Sequence, residues 1–376
     1  MPDNQKLALE LFQKTGAKNQ SENLFFSPLS VETALAMTWE GSRGDTESEI
    51  GHLLGETSPS ALRDRLHGLL EALTTGEHPY RLVMANSFWA QSGVTFLPSF
   101  TKILGDDYDA ESKVVDFGAP EASKQINDWV KSQTDGKIAE LVGPGTLTAA
   151  TRLVLANAVY FKAPWQRPFS SGLTANSSFY ADGTREVQVP MMRQTKEIFS
   201  YFEDKDLQAV SLPYKGGRLS MLVLLPRGRN GLPAMAKSLN PDRLQTVTNG
   251  LRPRQVNLSM PRFRFSFRRS LAQPLRELGM KSPFEPSADF SGMCKDCGLR
   301  LSDVLHQAFV DVNEDGTEAA AATASLMFGA TLMGPPPAVF IADHPFLFFV
   351  LDRPSGSILF MGRMSDPSVA TGGAAR

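Results

Sequence analysis

The chain has 376 residues, of which 42% are hydrophobic and 21% charged, a composition typical of a folded globular protein and not of a disordered one. Its 38 Lys and Arg against 40 Asp and Glu give a net charge of −2, which argues against nucleic acid or an anionic membrane as the obligatory partner. Two cysteines cannot staple so long a chain, so its stability must come from packing.

Neither a membrane span nor a signal peptide is predicted. No apolar run reaches the ~18 to 20 residues that a membrane-spanning helix needs. The N-terminus lacks the basic start and apolar centre of a signal peptide. We therefore expect a cytoplasmic protein or the mature form of a secreted one.

Helical patterns dominate the first third of the chain. Amphipathic spacing predicts helices over residues 5–15, 30–40, 61–73, 99–108 and 122–133, and a last one over residues 271–278. A Ser-Pro-Leu-Ser start signal, from Ser27 to Ser30, accompanies the second of these helices.

Extended patterns dominate after residue 150. They predict strands over residues 152–161, 208–213, 219–225, 255–260, 263–267, 307–312, 338–341, 346–351 and 357–361. The last three are almost continuously apolar, as in strands that are buried on both faces. Helices first and strands of antiparallel type later indicate an α+β fold. Because no Gly/Ser-rich or Pro-rich linker divides the chain, we expect one domain over residues 1–367 and a flexible tail over residues 368–376.

The segment from Gly316 to Gly334 fits neither pattern. It has no proline, one charged residue (Glu318) and mostly small side chains. Its alanines could form a helix by propensity, or the segment could be a strand small enough to enter a crowded sheet. A third reading is an exposed connector without a special role.

Six groups of residues carry a family resemblance, and they span nearly the whole chain. They are Asn23–Ser30 (NLFFSPLS), Leu155–Lys162 (LANAVYFK), Asp289–Met293 (DFSGM), Leu305–Val312 (LHQAFVDV), Gly316–Ala322 (GTEAAAA), and Asp343–Phe349 (DHPFLFF) with Leu359–Arg363 (LFMGR). In content and order they resemble the serpins. The resemblance implies a serpin fold with three β-sheets, eight or nine helices and an exposed reactive-centre loop near residues 314–337.

The resemblance also implies a mechanism. A serine protease would attack the loop as a substrate and form a covalent acyl-enzyme with it. The cut loop would then insert into the main sheet, which disables the attached enzyme. Such an inhibitor is a suicide substrate and is metastable before cleavage. The alternative is a non-inhibitory serpin that acts as a binding or chaperone module.

The loop residues follow from the family's spacing. The hinge would comprise Gly316, Thr317, Glu318, Ala319, Ala320, Ala321 and Ala322, and the reactive bond would be Ala330–Thr331, with Leu332 and Met333 as alternatives. No Lys or Arg occurs from Ala319 to Asp352, so a trypsin-like target is not expected. Elastase-like, subtilisin-like or chymotrypsin-like serine proteases remain, and a cysteine protease stays open.

Two further sets match the family's gating regions. The shutter set is Ser27, Ser30, Asn157 and His306, and the breach set is Trp165, Arg262 and Glu314. Other interpretations are a capped helix with a core histidine for the first set, and a core tryptophan with unrelated surface charges for the second. An exposed Arg262–Glu314 pair would contribute only ~0 to 1 kcal/mol.

The remaining motifs indicate no enzyme. The sequence contains no G-x-S-x-G, H-E-x-x-H, P-loop or dinucleotide fingerprint, and we expect no cofactor and no metal site. Cys294 and Cys297 form a C-x-x-C that departs from the family pattern; we favour free thiols or a labile local disulfide over zinc or redox catalysis. Six arginines between Arg252 and Arg269 could bind a glycosaminoglycan, although solvated strand edges are the preferred interpretation. We expect a monomer.

Overall fold

The computed structural model describes residues 4–16, 21–317 and 336–371. Over these residues it contains ten α-helices: α1 (Gln5–Gly16), α2 (Pro28–Glu40), α3 (Gly44–Leu54), α4 (Pro59–Thr74), α5 (Pro98–Tyr108), α6 (Glu121–Gln133), α7 (Leu232–Ser238), α8 (Pro241–Gly250), α9 (Ala272–Glu277) and α10 (Pro367–Thr371). No helix in this part of the chain combines the length and the hydropathy that crossing a membrane requires.

The same residues form strands in two hydrogen-bonded sheets. The strands are β1 (Leu24–Phe26), β2 (Arg81–Gln91), β3 (Glu111–Val115), β4 (Leu153–Pro164), β5 (Ala175–Ala181), β6 (Arg185–Glu203), β7 (Leu207–Pro213), β8 (Leu219–Pro226), β9 (Arg252–Pro261), β10 (Phe263–Ser270), β11 (Leu301–Val312), β12 (Gly316–Thr317), β13 (Ala338–Ile341), β14 (Phe346–Asp352) and β15 (Ile358–Met364). The α+β class is as predicted.

The chain forms two compact units, and neither is a continuous half of the sequence. One is drawn from residues 1–15, 26–160 and 266–309, and the other from residues 16–25, 161–265 and 310–376. The expectation of a single domain over residues 1–367 stays a prediction.

The first unit packs helices α2 to α6 with strands β2, β3, β4 and β11. Helix α2 begins sharply because the Ser27 side chain accepts a hydrogen bond from the Ser30 N–H group (3.2 Å) and Pro28 occupies the first turn. Every residue from Pro28 to Trp39 is buried, so α2 is a core helix. Strand β11 pairs with β4 in parallel, from Leu301 opposite Leu153 to Phe309 opposite Tyr160.

The second unit is dominated by a nine-stranded sheet in the order β1-β15-β14-β8-β7-β6-β9-β13, with β5 paired to β6. All residues of β15 and all but one of β14 are buried, as predicted for strands that are covered on both faces. The same prediction was wrong for β13, which exposes Val339 and Ile341 on one face. Strand β6 has 19 residues and pairs with β5, β7 and β9. The first part of β6 pairs with β5, its last part with β7, and the part between them with β9. The resemblance implies three sheets, but the described residues form two, because β6 joins strands of two of the expected sheets into one.

The predicted tail begins as a helix. Helix α10 extends from Pro367 to Thr371, and the expected flexibility of residues 368–376 stays a prediction. Its start is explained by Asp366, whose carboxylate accepts hydrogen bonds from the N–H group (2.8 Å) and hydroxyl group (2.6 Å) of Ser368. Residues 372–376 lie outside the described part of the chain.

Candidate functional site

The four residues predicted for the shutter lie together in the first unit, with a fifth that sequence reasoning missed. Asn86 of β2 joins Ser27, Ser30, Asn157 of β4 and His306 of β11. Each of the five is at most 2% exposed. We call these five residues the polar cluster. A signal for Asn86 existed in the sequence, since Asn86, like Asn157, interrupts an apolar run.

Asn157 is the centre of the polar cluster. Its amide nitrogen donates to the carbonyl oxygen of Ser30 (3.1 Å), to the Ser30 hydroxyl and to the side-chain oxygen of Asn86. Its own side-chain oxygen accepts a hydrogen bond from Nδ1 of His306, the residue directly opposite it on β11. The backbone N–H of Ser27 donates to Nε2 of His306 (3.2 Å), so the histidine has a partner at both ring nitrogens.

This pattern fixes the charge of His306. The ring donates through Nδ1 and accepts through Nε2, which is the neutral form. A second proton on Nε2 would point at the N–H group of Ser27, a donor. Burial accordingly lowers the pKa of His306 from 6.5 to about 3. His306 is therefore a neutral bridge between the start of α2 and the β4–β11 pair.

Trp165, one of the predicted breach residues, lies in the second unit against the chain that leads into β12. The indole N–H of Trp165 donates to the carbonyl oxygen of Asn313 (3.0 Å), and its backbone N–H donates to that of Asp315 (2.8 Å). The Trp165 ring stacks on Tyr214, with ring centres 4.6 Å apart. The Tyr214 hydroxyl lies 2.7 Å from the hydroxyl of Thr317. We call Trp165, Tyr214, Gly316 and Thr317 the hinge cluster; sequence reasoning missed Tyr214, which carries no local signal.

Gly316 and Thr317 form β12, a two-residue strand that is antiparallel to both of its neighbours. Thr317 pairs with Val312 of β11 and with Ala163 of β4, and Gly316 pairs with Pro164. Only glycine fits at position 316. A Cβ atom there would lie 2.2 Å from the carbonyl oxygen of Ala163 and 2.6 Å from the Cα of Pro164, and φ is +156°.

Glu314 is held from two sides. Its carboxylate accepts a hydrogen bond from the hydroxyl of Thr174 (2.7 Å) and lies 3.5 Å from Nε of Arg262. The Glu314 side chain is 12% exposed and that of Arg262 is 48% exposed. The predicted pair is therefore present, but Thr174, which sequence reasoning did not consider, is the closer partner.

The rest of the predicted loop lies outside the described residues. This applies to the hinge residues Glu318, Ala319, Ala320, Ala321 and Ala322, and to Ala330, Thr331, Leu332 and Met333 around the predicted reactive bond. Their roles stay predictions.

Two other predicted features are now specified. Cys294 and Cys297 are joined in a disulfide, so of the two favoured alternatives the local disulfide is correct.

Among the six arginines between Arg252 and Arg269, Arg254 pairs with Glu203 and Arg268 pairs with Glu140, each at 3.0 Å. Each of these two carboxylates offsets the charge of its arginine, and glycosaminoglycan binding stays a prediction.

Comparison with known proteins decides the family. The family model described as "Serpin (serine protease inhibitor)" matches residues 2–367. The chain is a serpin. This serpin is 42% identical to an uncharacterised serpin-like protein of Thermococcus kodakarensis over 95% of this chain and 83% of that protein. It is 40% identical to the leukocyte elastase inhibitor of Sus scrofa over 97% of this chain and 98% of the relative.

Solved structures agree with this assignment. The serpin superimposes on human thyroxine-binding globulin in complex with thyroxine with a TM-score of 0.89, at 29% identity and 97% coverage of both chains. The predicted serpin fold is confirmed, although the described residues form ten α-helices where eight or nine were expected, and two sheets where three were expected.

Proposed function

We propose that this serpin inhibits serine proteases as a suicide substrate. The observation that carries the proposal is the position of β12. It occupies the first two positions of a strand between the ends of β4 and β11, whereas β4 and β11 pair directly with each other from Leu153 to Tyr160 and from Leu301 to Phe309. A loop that continued β12 would part these two strands and pair with both.

The topology favours that insertion. Strands β4 and β11 are parallel, and β12 is antiparallel to both. Continuing β12 would therefore replace one parallel ladder with two antiparallel ladders, which are slightly more stable per residue. At a net ~0.5 to 1.5 kcal/mol for each added hydrogen bond, about a dozen bonds would contribute on the order of 10 kcal/mol.

The chemistry before insertion belongs to the protease. Its serine oxygen attacks the carbonyl carbon of the residue before the scissile bond, which we expect to be Ala330, and the amide bond to Thr331 breaks. The new amino terminus leaves with a proton, and an ester joins the protease to the loop. Insertion of about fifteen residues at ~3.3 Å each would then carry the ester roughly 50 Å. Loss of a single oxyanion-hole donor slows a protease ~100- to 1,000-fold, so modest distortion is sufficient.

The polar cluster supplies a gate for this movement. His306 on β11 and Asn157 on β4 are directly opposite each other and hydrogen-bonded. Parting the strands would leave both side chains without that partner in a buried position, which costs ~1 to 3 kcal/mol for each group. This cost opposes insertion before cleavage, and the ladder bonds gained afterwards exceed it.

The loop composition limits the target. Residues 319–352 contain neither Lys nor Arg, which disfavours a trypsin-like enzyme. Similarity to a relative named leukocyte elastase inhibitor supports an elastase-like enzyme, and subtilisin-like and chymotrypsin-like enzymes also accept small or apolar residues.

A protease panel tests this proposal. The protein is mixed with elastase, chymotrypsin, subtilisin and trypsin, and the products are separated in denaturant and analysed by mass spectrometry. We expect a denaturant-resistant complex of added mass with at least one of the first three, and a cut within residues 328–334. Cleavage there by all three without any complex would refute inhibition.

A binding module is the second candidate, because the serpin resembles thyroxine-binding globulin in complex with thyroxine. The two functions differ after cleavage. An inhibitory serpin whose loop inserts should melt at a markedly higher temperature once cut, whereas a rigid binding module should not.

A further inference from the structure

The disulfide between Cys294 and Cys297 is not used by the proposed inhibition, and its two cysteines differ in access to solvent. Cys294 is buried, with 1% of its surface exposed. Cys297, three positions later, is partly exposed. Exposed Lys295 and Asp296 lie between them, and both Asp296 (φ +52°) and Gly298 (φ +54°) are left-handed. The disulfide therefore closes a tight loop with one accessible end.

We propose that this disulfide is a reversible thiol–disulfide exchange site, at which an external thiol attacks the sulfur of Cys297. Attack depends on access to the sulfur, and Cys297 is the more exposed residue of the pair. A disulfide that closes so short a loop also removes little entropy from the unfolded chain, so it resists reduction less than one that closes a long loop.

The reaction balances with a thiol as reductant, either a small molecule or a protein dithiol. The thiolate bonds to Sγ of Cys297, the Cys294–Cys297 bond breaks, and Cys294 leaves as a thiolate that takes a proton from water. A second thiolate then attacks the reductant's sulfur in the mixed disulfide and releases Cys297. In sum, one disulfide and two external thiols become two protein thiols and one external disulfide.

The residues before the disulfide hold the end of α2. The N–H of Arg43 donates to the carbonyl oxygen of Asp289 (2.9 Å), that of Gly292 donates to Gly41 (3.1 Å), and that of Leu97 donates to Met293 (2.7 Å). The side chain of Met293 packs directly against Gly41, the C-cap of α2. A Cβ atom added to Gly41 would lie only 2.2 Å from Cγ of Met293. Reduction would remove a covalent constraint one residue after this anchor, so we expect residues 289–298 to open more often.

Peptide mapping tests which sulfur is attacked. The native, full-length protein is incubated with glutathione, quenched with acid, and its free thiols are labelled with N-ethylmaleimide. We expect glutathione on Cys297 and maleimide on Cys294, in at least about tenfold excess over the reverse arrangement. In the variant Cys294→Ser only the Cys297 thiol remains, and in Cys297→Ser only the Cys294 thiol remains. We expect oxidised glutathione to modify Cys294→Ser at a rate at least about tenfold higher than Cys297→Ser. Predominant labelling of the reverse kind, or reduction only after the protein unfolds, would overturn the proposal.

Hydrogen exchange tests the consequence. Reduction, and equally the double variant Cys294→Ser/Cys297→Ser, should raise amide exchange in residues 289–298 and at Gly41 to Arg43 by about threefold or more, while residues 207–226 stay unchanged. Equal amide exchange in the oxidised and reduced protein would show that the disulfide does not stabilise residues 289–298 or the end of α2. Neither experiment involves a protease, so failure of the proposed inhibition would leave this result intact.

Discussion

The hydroxyl of Tyr214 lies 2.7 Å from the hydroxyl of Thr317, although 103 positions separate the two residues. Tyr214 is completely buried and stacks on Trp165, while Thr317 is the last described residue before the predicted bait. Within the hinge cluster, one hydrogen bond therefore connects a buried aromatic side chain to β12, the strand from which insertion would begin.

Replacing Tyr214 with phenylalanine should loosen β12. Tyr214→Phe keeps the ring stacked on Trp165 but leaves the Thr317 hydroxyl without this partner. The loss costs ~1 kcal/mol, which corresponds to about a fivefold larger equilibrium constant for local opening. Hydrogen exchange at Gly316 and Thr317 measures it.

Tyr201→Phe is the matched control for that variant. Tyr201 of β6 is also buried and hydrogen-bonded, but to Glu203 and Gln208. The variant Tyr201→Phe should leave the amide exchange of Gly316 and Thr317 unchanged. If both variants raised this exchange equally, the Tyr214–Thr317 hydrogen bond would not be what stabilises β12.

Adding one methyl group at Gly316 should expel β12 from the sheet. In Gly316→Ala the new Cβ meets the backbone of Ala163 and Pro164, which cannot move away as a flexible side chain could. Overpacking of this kind costs ~1 to 3 kcal/mol, so the amides of residues 316 and 317 should lose most of their exchange protection.

Complex formation with the target protease should slow in the same variant, because insertion loses its starting point. Gly228→Ala is the control, since no atom lies within 4 Å of a Cβ at that position. Gly316→Ala that exchanges and inhibits like the parent protein would contradict the structure of β12.

His306 should make the protein less stable in acid. Its pKa is about 3 in the folded state against 6.5 when unfolded, so between these values the unfolded chain binds the proton and the native state does not. Stability from this group is complete above pH 6.5 and falls with pH by about 1.4 kcal/mol per unit towards pH 3. Unfolding measured at pH 7, 5.5 and 4.5 should show this slope.

His306→Gln should flatten that slope while lowering stability at pH 7. His52→Gln, a change at an exposed histidine, should preserve it. A parental slope that persists in His306→Gln would assign the acid sensitivity to other groups.

Thr174 should anchor Glu314 more strongly than Arg262 does. The Thr174 bond to the carboxylate is 2.7 Å long and partly buried, and hydrogen bonds to a charged group contribute ~1.5 to 3 kcal/mol. The Arg262 contact is longer, and solvent screens its half-exposed guanidinium, so we expect at most ~1 kcal/mol from it. Thermal unfolding of Thr174→Val and Arg262→Gln should rank them in this order. Raising the salt concentration should reduce the difference in melting temperature between Arg262→Gln and the parent protein, but not that between Thr174→Val and the parent. If Arg262→Gln lowered the melting temperature more than Thr174→Val, the ion pair would be the principal anchor of Glu314.

Local patterns predicted much of the fold. Helices α2 and α6 and strands β14 and β15 follow from short-range periodicity, and they are present near the predicted bounds. Strand β2 was missed because Asn86 and Ser87 interrupt its apolar run with buried polar residues. Strand β6 was missed because it contains Pro190 and an irregularity at Lys196 (φ +56°), which together remove a clean alternation.

Long-range contacts limited what could be predicted about the site. The family resemblance identified Asn157 and His306, but nothing near Tyr214 in sequence points to Thr317, and nothing near Thr174 points to Glu314. Such partners depend on the tertiary fold, which local periodicity does not contain.

The target specificity should change with one residue if the predicted reactive bond is correct. Ala330→Arg would present a cation before the bond to Thr331, and a trypsin-like pocket binds such a residue through its aspartate. We expect the variant to form a denaturant-resistant complex with trypsin, which the parent should not form, and to lose most of its reaction with elastase-like enzymes. Leu332→Arg is the matched variant, because cleavage after Leu332 would make it, and not Ala330→Arg, the trypsin inhibitor. If trypsin cuts both variants at the new arginine and forms a complex with neither, the loop is a substrate without the inhibitory step.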